Sequence, residues 1–175
     1  VVSLEGHAFE ITTFRKDHEL SDGRFPESVE FTDRNSDAER RDITINALYW
    51  NPISSEVFDP FEGEKDLQEG LVRFIGDAED RIQHDALRLL RVIRFRALID
   101  GQYHPDTFKA LHNKAKQVSV LSGTRRYREL EKILLGPTPQ RAFEDLWETD
   151  VIETLLPELH ACKGVAQPSK AHNEG

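Results

Sequence analysis

The sequence predicts an α+β fold, in which a front half that contains strands is followed by a mostly helical back half. In the front half, β-branched and aromatic residues are mixed with polar ones between turn residues, a pattern typical of short strands. From Asp77 onward, apolar residues recur at helical spacing. The chain has 175 residues, of which 38% are hydrophobic and 31% charged, and this composition favours a globular protein of one or two domains.

Composition also excludes several classes of protein. No apolar run approaches the roughly 18 residues that a membrane-spanning helix needs, and no basic-then-apolar leader marks secretion. The single cysteine, Cys162, excludes an internal disulfide and a zinc site built from cysteines. A reducing compartment fits this cysteine usage, so we expect a cytoplasmic protein. Because the chain contains no methionine and opens at Val1 inside a predicted strand, we also expect a fragment.

The first predicted elements are one strand and a long polar segment. His7–Phe14 mixes β-branched, aromatic and polar residues and is predicted to be a strand. Lys16–Asp37 is polar, contains Gly23 and Pro26, and is predicted to be a long loop with one short strand at Val29–Phe31. Loops of this length are uncommon unless they are functional or mobile.

A helix and further short elements complete the front half. Ser36 and Glu39 have the spacing of a capping box, which predicts a helix that runs to about Tyr49. After a turn, the pattern predicts a strand, a Gly-punctuated acidic loop and another strand, in the order Val57–Phe58, Asp59–Gly70 and Leu71–Ile75.

The back half is predicted to be a series of helices that begins after Gly76. The longest, Asp77–Ile99, has one apolar face, and Arg81, Asp85 and Arg88 lie on the opposite face. Four shorter helices follow, each with a Pro, Ser or Asp at its start: Asp106–Val118, Ser122–Leu135, one from Thr138-Pro139, and Asp150–Leu156.

Charge is unevenly distributed along the chain. The net charge is -9, but residues 71–130 hold 12 Lys and Arg against seven Asp and Glu. The basic residues are densest on the long predicted helix, at Arg81, Arg88, Arg91, Arg94 and Arg96. Such a local field attracts polyanions even when the total charge is negative. A solvated helix face is the alternative interpretation.

Three groups of residues are candidates for a functional site. The first is Arg40-Arg41-Asp42 with Asn46, placed by the pattern at the start of the first helix. Arginines at a helix start oppose the macrodipole, so a bound anion such as a phosphate explains them better than helix stability does. Salt bridges to Asp37 or Glu39 remain an equally good explanation.

The second group lies on the long predicted helix. Asp85 and Arg88 are one turn apart and offer a hydrogen-bond acceptor beside a fork of donors, as recognition of a nucleobase edge requires. Arg91 and Arg94 continue the spacing and could reach a triphosphate. An ordinary ion pair between Asp85 and Arg88 is the alternative.

The third candidate is Glu10 in the first predicted strand. A carboxylate there could help to hold a metal ion, or it could simply face solvent. The seven histidines are scattered, and none has the spacing of a metal ligand.

Taken together, these segments resemble the family of class II tRNA nucleotidyltransferases and bacterial poly(A) polymerases. RRDITINAL at Arg40–Leu48 is similar to the family motif RRDxTINA, and RIQHDALRLLRVIRF at Arg81–Phe95 is similar to its base-reading helix. Other matching segments are DPFEGEKDLQEGLVRFIGD at Asp59–Asp77, FEITTFR at Phe9–Arg15, DGR at Asp22–Arg24 and SGTRRYRELEKIL at Ser122–Leu134. The resemblance implies the later strands of a nucleotidyltransferase palm, with a mixed or antiparallel sheet, in residues 1–76. It further implies an all-helical neck in 77–120 and the start of a helical body in 121–175.

The resemblance also implies roles for individual residues. Asp85 and Arg88 match the pair that reads the base of CTP or ATP, while Arg91 and Arg94 match residues near the triphosphate. The nucleotide-binding candidates within the RRDxTINA-like segment are Arg41, Asp42 and Asn46. Of these, Asp42 matches a residue placed near the ribose. Arg125 and Glu129 match a supporting helix, and Glu10 matches a third carboxylate beside Mg²⁺.

The implied activity is template-independent addition of CMP and AMP to the 3′ end of tRNA. His84 replaces a glutamate of the family, so base reading is expected in weakened form. The family's Gly-Ser loop and Asp-x-Asp metal pair are expected upstream of Val1, which would leave the given chain catalytically incomplete. A poly(A) polymerase, or a non-catalytic fragment that binds RNA or a nucleotide, remains an alternative.

Overall fold

The structure is a computed structural model that describes residues 1–4, 6–20 and 26–165. It combines helices with small two-stranded sheets, so the α+β prediction is confirmed. Three sheets are antiparallel and one is parallel. In chain order the paired strands are β1 (Val2–Leu4) with β2 (His7–Phe9), β3 (Arg15–Leu20) with β4 (Pro26–Phe31), β5 (Tyr49–Trp50) with β6 (Val57–Phe58), and β7 (Leu71–Val72) with β8 (Gln102–Tyr103).

Helices make up most of the described chain after residue 76. The α-helices are α1 (Arg34–Glu39), α2 (Gly63–Gln68), α3 (Ala78–His84), α4 (Leu87–Leu98), α5 (Pro105–Asn113), α6 (Gly123–Leu134), α7 (Pro139–Glu148), α8 (Val151–Leu155) and α9 (Pro157–Ala161). Short 3₁₀ helices cover Thr44–Asn46 and Ala115–Val120. None of the helices in this described part is long and apolar enough to cross a membrane.

The long polar segment of the front half is a strand pair and not a loop. The predicted strand His7–Phe14 ends at Phe9, and the predicted loop after it contains β3 and β4. Charged residues are rare in strands, so a polar hairpin gives no signal in the hydrophobic pattern. The predicted turn residue Gly23 and the DGR motif of Asp22–Arg24 lie outside the described residues.

The predicted helix from Ser36 to Tyr49 is wrong. The capping residue is Asp33, whose side chain accepts a hydrogen bond from the Ser36 backbone N–H at 2.9 Å, and α1 ends at Glu39. The backbone then runs alongside the end of the front half: Ile75 N–H donates to the Asp42 carbonyl at 3.1 Å. Thr44 N–H likewise donates to the Arg73 carbonyl at 3.0 Å. These long-range bonds replace the local bonds that a helix would make.

The acidic segment after β6 contains helix α2, where a loop was predicted. The Asp59 carboxylate accepts from the N–H groups of Gly63 and Glu64 at 2.7 and 3.0 Å and so caps this helix. Gly63 lies against the Thr44 backbone, since a Cβ added there would collide with the Thr44 carbonyl oxygen. The glycine therefore permits a close approach and does not mark a turn.

We expect Gly63→Ala to destabilise the protein by about 1–3 kcal/mol, because the Thr44 backbone must move to admit the methyl group. Gly123→Ala is the matched control, since nothing lies within 4 Å of a Cβ at that position. Chemical denaturation of both variants measures the difference. Equal stabilities of the two variants would contradict the close packing of α2 on residue 44.

The predicted helix Asp77–Ile99 is divided in two at Asp85. This residue has extended backbone angles (φ -150°, ψ 105°), and its carboxylate accepts from the Leu87 N–H at 3.1 Å. Aspartate competes with the helix for backbone hydrogen bonds, and here it ends α3 and helps to begin α4. The shorter helices are confirmed from Pro105 on, although α5 stops at Asn113 and the chain continues as a 3₁₀ helix.

The main hydrophobic core joins the end of the front half to the helices. Leu89, Leu90 and Ile93 of α4 are fully buried at its centre. Ile43 and Phe74 of the front half belong to the same cluster. Helix α4 is thus held rigidly against the segment that follows α1.

Candidate functional site

An open cleft of about 420 Å³ lies between the segment after α1 and the beginning of α4. Six of the seven predicted nucleotide-binding residues line it, together with two further residues: Arg41, Asp42, Asn46, Asp85, Arg88, Arg91, Arg40 and Phe95. Four arginines and two aspartates give this lining a net positive charge. Candidates from two distant parts of the sequence therefore meet at one surface that suits an anion.

Asp42 is a buried carboxylate at the base of the cleft, with 5% of its surface exposed. Its Oδ1 accepts from the N–H of Ile43 and from Asn46 Nδ2, both at 3.0 Å. Its Oδ2 accepts from Arg91 Nε at 2.6 Å. Burial alone would raise the pKa of Asp42, but Arg91 and the hydrogen bonds outweigh burial and hold the pKa below its usual value. At neutral pH this group can therefore only accept hydrogen bonds.

The two adjacent arginines share one buried carboxylate, that of Asp37. Its Oδ1 accepts from Arg40 Nε and Nη2 at 2.9 and 2.5 Å. Its Oδ2 accepts from Arg41 Nε and Nη2 at 3.2 and 3.1 Å, and from the Tyr49 hydroxyl at 2.7 Å. Burial raises the pKa of Asp37, yet these donors lower it to about 2. Both guanidiniums thus form ion pairs with this one carboxylate.

This arrangement bears on both explanations of the arginines. The salt bridges to Asp37 are present, as the alternative explanation required. The macrodipole argument was wrong, because Arg40 and Arg41 follow the C-terminus of α1, where a cation is favourable. Arg41 also donates from Nη1 to the Asn46 carbonyl at 3.1 Å, which ties it to the wall of the cleft. Both arginines nevertheless line the cleft.

Asp85 sits at the break between α3 and α4. Arg125 Nη2 of α6 donates to both of its oxygens, at 2.9 and 3.1 Å. The Arg88 backbone N–H donates to the Asp85 carbonyl at 3.0 Å, but the two side chains form no ion pair within the described residues, so the local ion pair considered as an alternative does not form. Both side chains line the cleft separately.

Arg88 is held by carbonyl groups instead of by a carboxylate. Its Nη1 donates to the Arg81 carbonyl at 3.2 Å and its Nη2 to the Arg40 carbonyl at 3.0 Å. Burial and then the nearby Arg81 charge lower the pKa of Arg88, but a guanidinium stays protonated at neutral pH. Arg81 itself bonds the carbonyls of Ile75 and Glu39 at 2.7 and 2.6 Å. The charge of Arg88 is therefore fixed in place and remains available to a ligand.

Arg94, the seventh candidate, does not line the cleft. Its Nε donates to Glu129 Oε1 at 2.5 Å, and Glu129 is only 2% exposed. A buried carboxylate needs a cationic partner, and this need directs Arg94 toward α6. The predicted supporting residues Arg125 and Glu129 both lie on α6 and contact this side of α3 and α4.

Glu10 lies apart from these residues. It follows β2 and does not belong to a strand, and it is exposed. Within residues 1–4, 6–20 and 26–165, no group of three or more His, Cys, Asp or Glu side chains could hold a metal ion. His84 is also exposed, and its Nδ1 lies 2.7 Å from the Asp80 carbonyl.

Two lining residues were missing from the predicted set. Arg40 belongs to the same motif as Arg41, so its neighbour already pointed to it. Phe95 follows Arg91 by one helical turn, and the Arg91 guanidinium lies 5.5 Å from its ring centre. The spacing of the two residues was the available signal.

Two family models match the chain. Residues 1–73 match the poly A polymerase head domain, and residues 102–163 match the probable RNA and SrmB-binding site of polymerase A. Both models describe parts of the same class of protein, the poly(A) polymerases.

Known relatives narrow this class. A CCA-adding enzyme of Geobacillus thermodenitrificans is 39% identical over 91% of this chain, and a human mitochondrial CCA tRNA nucleotidyltransferase 1 is 44% identical over 85% of it. The chain belongs to the family of CCA-adding tRNA nucleotidyltransferases and poly(A) polymerases. It spans 39% and 34% of the lengths of these two relatives.

Solved structures show the same relationship. The Bacillus stearothermophilus CCA-adding enzyme in complex with CTP superimposes with a TM-score of 0.74 at 34% identity, over 84% of this chain and 35% of that one. The Thermotoga maritima CCA-adding enzyme complexed with tRNA gives a TM-score of 0.65 at 32% identity, over 78% of this chain and 33% of that one.

Proposed function

We propose that this chain supplies the nucleotide-binding cleft of an enzyme that adds CMP and AMP, from CTP and ATP, to the 3′ end of tRNA without a nucleic-acid template. The convergence of six predicted residues on one positively charged cleft carries the proposal. The relatives support it, since their names specify CCA addition, and similar structures contain CTP, ATP or tRNA. We assign residues 1–76 to a palm, 77–120 to a neck and 121–175 to the start of a body, in a cytoplasmic protein.

Selection of the base depends on one acceptor and one donor that line the cleft, Asp85 and Arg88. Cytosine and adenine each present an amino donor beside a ring nitrogen that accepts. The Asp85 carboxylate is suited to accept from the amino group, and the Arg88 guanidinium is suited to donate to the ring nitrogen. Uracil and guanine place a carbonyl where the amino group would be, and it would face the Asp85 carboxylate without a donor between them. Such an unpaired polar contact is the strongest basis for rejecting a substrate.

We assign the phosphates of the nucleotide to a different part of the cleft from the base. Arg40 and Arg41 both line the cleft, where they share the Asp37 carboxylate. Their guanidiniums stay charged at any physiological pH and bind phosphate oxygens well. We assign the triphosphate to this end of the cleft, which leaves Asp85 and Arg88 free for the base.

Members of this family generally use a divalent metal, and Mg²⁺ is the ion we propose. The described residues do not fit a metal centre by themselves, because Glu10 is exposed and no acidic cluster surrounds it. Phosphoryl transfer with two metals needs several carboxylates. We therefore derive no catalytic step through the metal from this chain, and Glu10 remains only a candidate ligand.

The experiment is nucleotide addition by the full-length protein to a tRNA that lacks its 3′ CCA, with each nucleotide supplied alone and in combination. We expect incorporation of CMP and then AMP, and little incorporation of UMP or GMP. Addition of AMP alone, in long runs, would instead indicate a poly(A) polymerase. Nucleotide binding without any incorporation would indicate a non-catalytic role.

A further inference from the structure

Two arginines donate to the carbonyl groups that follow the end of α1. Arg81 of α3 donates from Nη2 to the Glu39 carbonyl at 2.6 Å. Arg88 of α4 donates from Nη2 to the next carbonyl, that of Arg40, at 3.0 Å. The last carbonyls of a helix have no partner within it, so donors from other elements stabilise them. Of these two arginines, Arg88 lines the cleft and Arg81 does not.

Arg81 also holds the segment that leads into α3. Its Nε donates to the Ile75 carbonyl at 2.7 Å, so one guanidinium bridges Ile75 and Glu39. Ile75 is bonded in turn through its N–H to the Asp42 carbonyl at 3.1 Å. The planar fork of an arginine holds two acceptors in a fixed geometry, which the compact ammonium group of a lysine does not. The position of α3 relative to the end of α1 therefore depends on the Arg81 side chain.

The direction of Arg88 depends on both elements that Arg81 joins. Its Nη1 donates to the Arg81 carbonyl on α3 at 3.2 Å, and its Nη2 to the Arg40 carbonyl after α1. Burial and then the charge of Arg81 lower the pKa of Arg88, so the two guanidiniums also repel each other. The two carbonyls oppose this repulsion and aim the Arg88 guanidinium, provided that α3 and the end of α1 stay at a fixed distance.

We propose that Arg81 is a positioning residue that joins α3 to the end of α1, holds in place the two carbonyls that orient Arg88, and thereby sets selection of the base. This inference rests on the function proposed above, in which Arg88 donates to the ring nitrogen of cytosine or adenine. Arg81 itself does not touch the nucleotide.

The expected consequence is specific to the base. Uracil carries an N–H donor where cytosine has the accepting ring nitrogen, and a carbonyl lies beside it. A fixed Arg88 guanidinium opposes this N–H donor to donor, whereas a guanidinium that is free to turn can donate to the carbonyl. Loss of Arg81 should therefore admit UTP and not merely weaken every nucleotide alike.

The test measures kcat/KM for CTP and UTP in the first addition to tRNA by the full-length protein. We expect Arg81→Met to reduce the preference for CTP over UTP by about tenfold. This ratio does not depend on the fraction of enzyme that is folded, so a purely structural loss would leave it unchanged. Arg81→Lys retains the charge and a flexible donor, and it should restore part of the preference.

A modified substrate tests whether Arg81 acts through Arg88. In 3-deaza-CTP a C–H group replaces the ring nitrogen, so this nucleotide cannot accept the hydrogen bond from Arg88. The wild-type protein should use it less well than CTP, and Arg81→Met should reduce this difference together with the preference for CTP over UTP. An effect that reached the base through Asp85 would leave the difference unchanged.

Arg73→Met is the matched control. Arg73 likewise joins a backbone carbonyl to a second acceptor, since Nη2 donates to the Phe61 carbonyl at 3.0 Å and Nε to Asp66 at 2.9 Å. It does not line the cleft. Its loss should lower stability and leave both ratios as in wild type. If Arg81→Met does not fold, Arg81→Lys decides, and wild-type values of both ratios would then reject the inference.

The possible failures point to different conclusions. Unchanged ratios in a folded Arg81→Met variant would show that Arg88 keeps its direction without Arg81. A reduced preference for CTP over UTP with an unchanged penalty for 3-deaza-CTP would also overturn the inference. If wild type used 3-deaza-CTP as well as CTP, Arg88 would not read the ring nitrogen and would need no positioning. Absence of incorporation with every nucleotide would instead reject the proposed function itself.

Discussion

Arg88→Ala is expected to abolish selection among bases and to lower kcat/KM for CTP and ATP by about 10- to 150-fold, the loss of one charged hydrogen bond. The guanidinium is fixed by the carbonyls of Arg81 and Arg40, and it lines the cleft together with Asp85. Without it, nothing donates to the ring nitrogen of cytosine or adenine. Steady-state kinetics with all four nucleotides measures the change.

Arg88→Lys separates charge from geometry in this experiment. A lysine keeps the positive charge but not the planar fork of donors, so it should bind nucleotides while selecting poorly among them. Thermal denaturation of both variants is needed, because Arg88 also joins α4 to the end of α1. Unchanged discrimination against UTP and GTP in the alanine variant would remove Arg88 from the base-reading pair.

Much of the cleft could be predicted from local patterns. The RRD segment and the basic residues of α4 were visible as clusters of charge in the sequence, and Arg88 and Arg91 of α4 do line one cleft with the RRD segment. The local partner Asp37 was considered from the sequence, but the pairing of Asp42 with Arg91 could not be predicted, because 49 positions separate them in the sequence. The same limit applies to Arg94, whose orientation depends on a buried glutamate of a later helix. Pairings of this kind depend on tertiary packing, which no local spacing encodes.

The predicted helix boundaries were wrong for a different reason. Asp33 and Ser36 are equally good capping residues by type, and only the structure shows that Asp33 caps α1. The amphipathic pattern continues on both sides of Asp85, so it predicted one uninterrupted helix. The break therefore had no signal except the tendency of aspartate to bond nearby backbone N–H groups. The break matters for function, because it leaves the Asp85 carboxylate in the cleft while Arg125 holds it.

Asp37 was considered only as a partner for the arginines, yet it organises one end of the cleft. Five hydrogen bonds converge on its buried carboxylate from two arginines and a tyrosine. Without this carboxylate, the two guanidiniums would lose the anion that they share. The explanation by salt bridges and the explanation by an anion are therefore compatible, since Asp37 holds both cations in place at the edge of the cleft.

Asp37→Asn should consequently lower the free energy of unfolding at neutral pH by about 2 kcal/mol. The pKa of Asp37 is about 2 in the folded protein against a usual value of 3.8. A carboxyl group whose pKa is lowered by folding stabilises the protein above its unfolded pKa, and this contribution is lost as the pH falls through its folded pKa. The difference between wild type and Asp37→Asn should therefore be constant above about pH 5 and shrink to roughly half by pH 3.

Denaturant unfolding at several pH values measures this difference. Asp33→Asn is the matched control on the same helix, because asparagine caps a helix as well as aspartate does and the side chain is exposed. It should change stability little at neutral pH. If Asp37→Asn were as stable as wild type at pH 7, the ionised Asp37 carboxylate would not be the group that holds Arg40 and Arg41. The same conclusion would follow if its deficit did not shrink in acid.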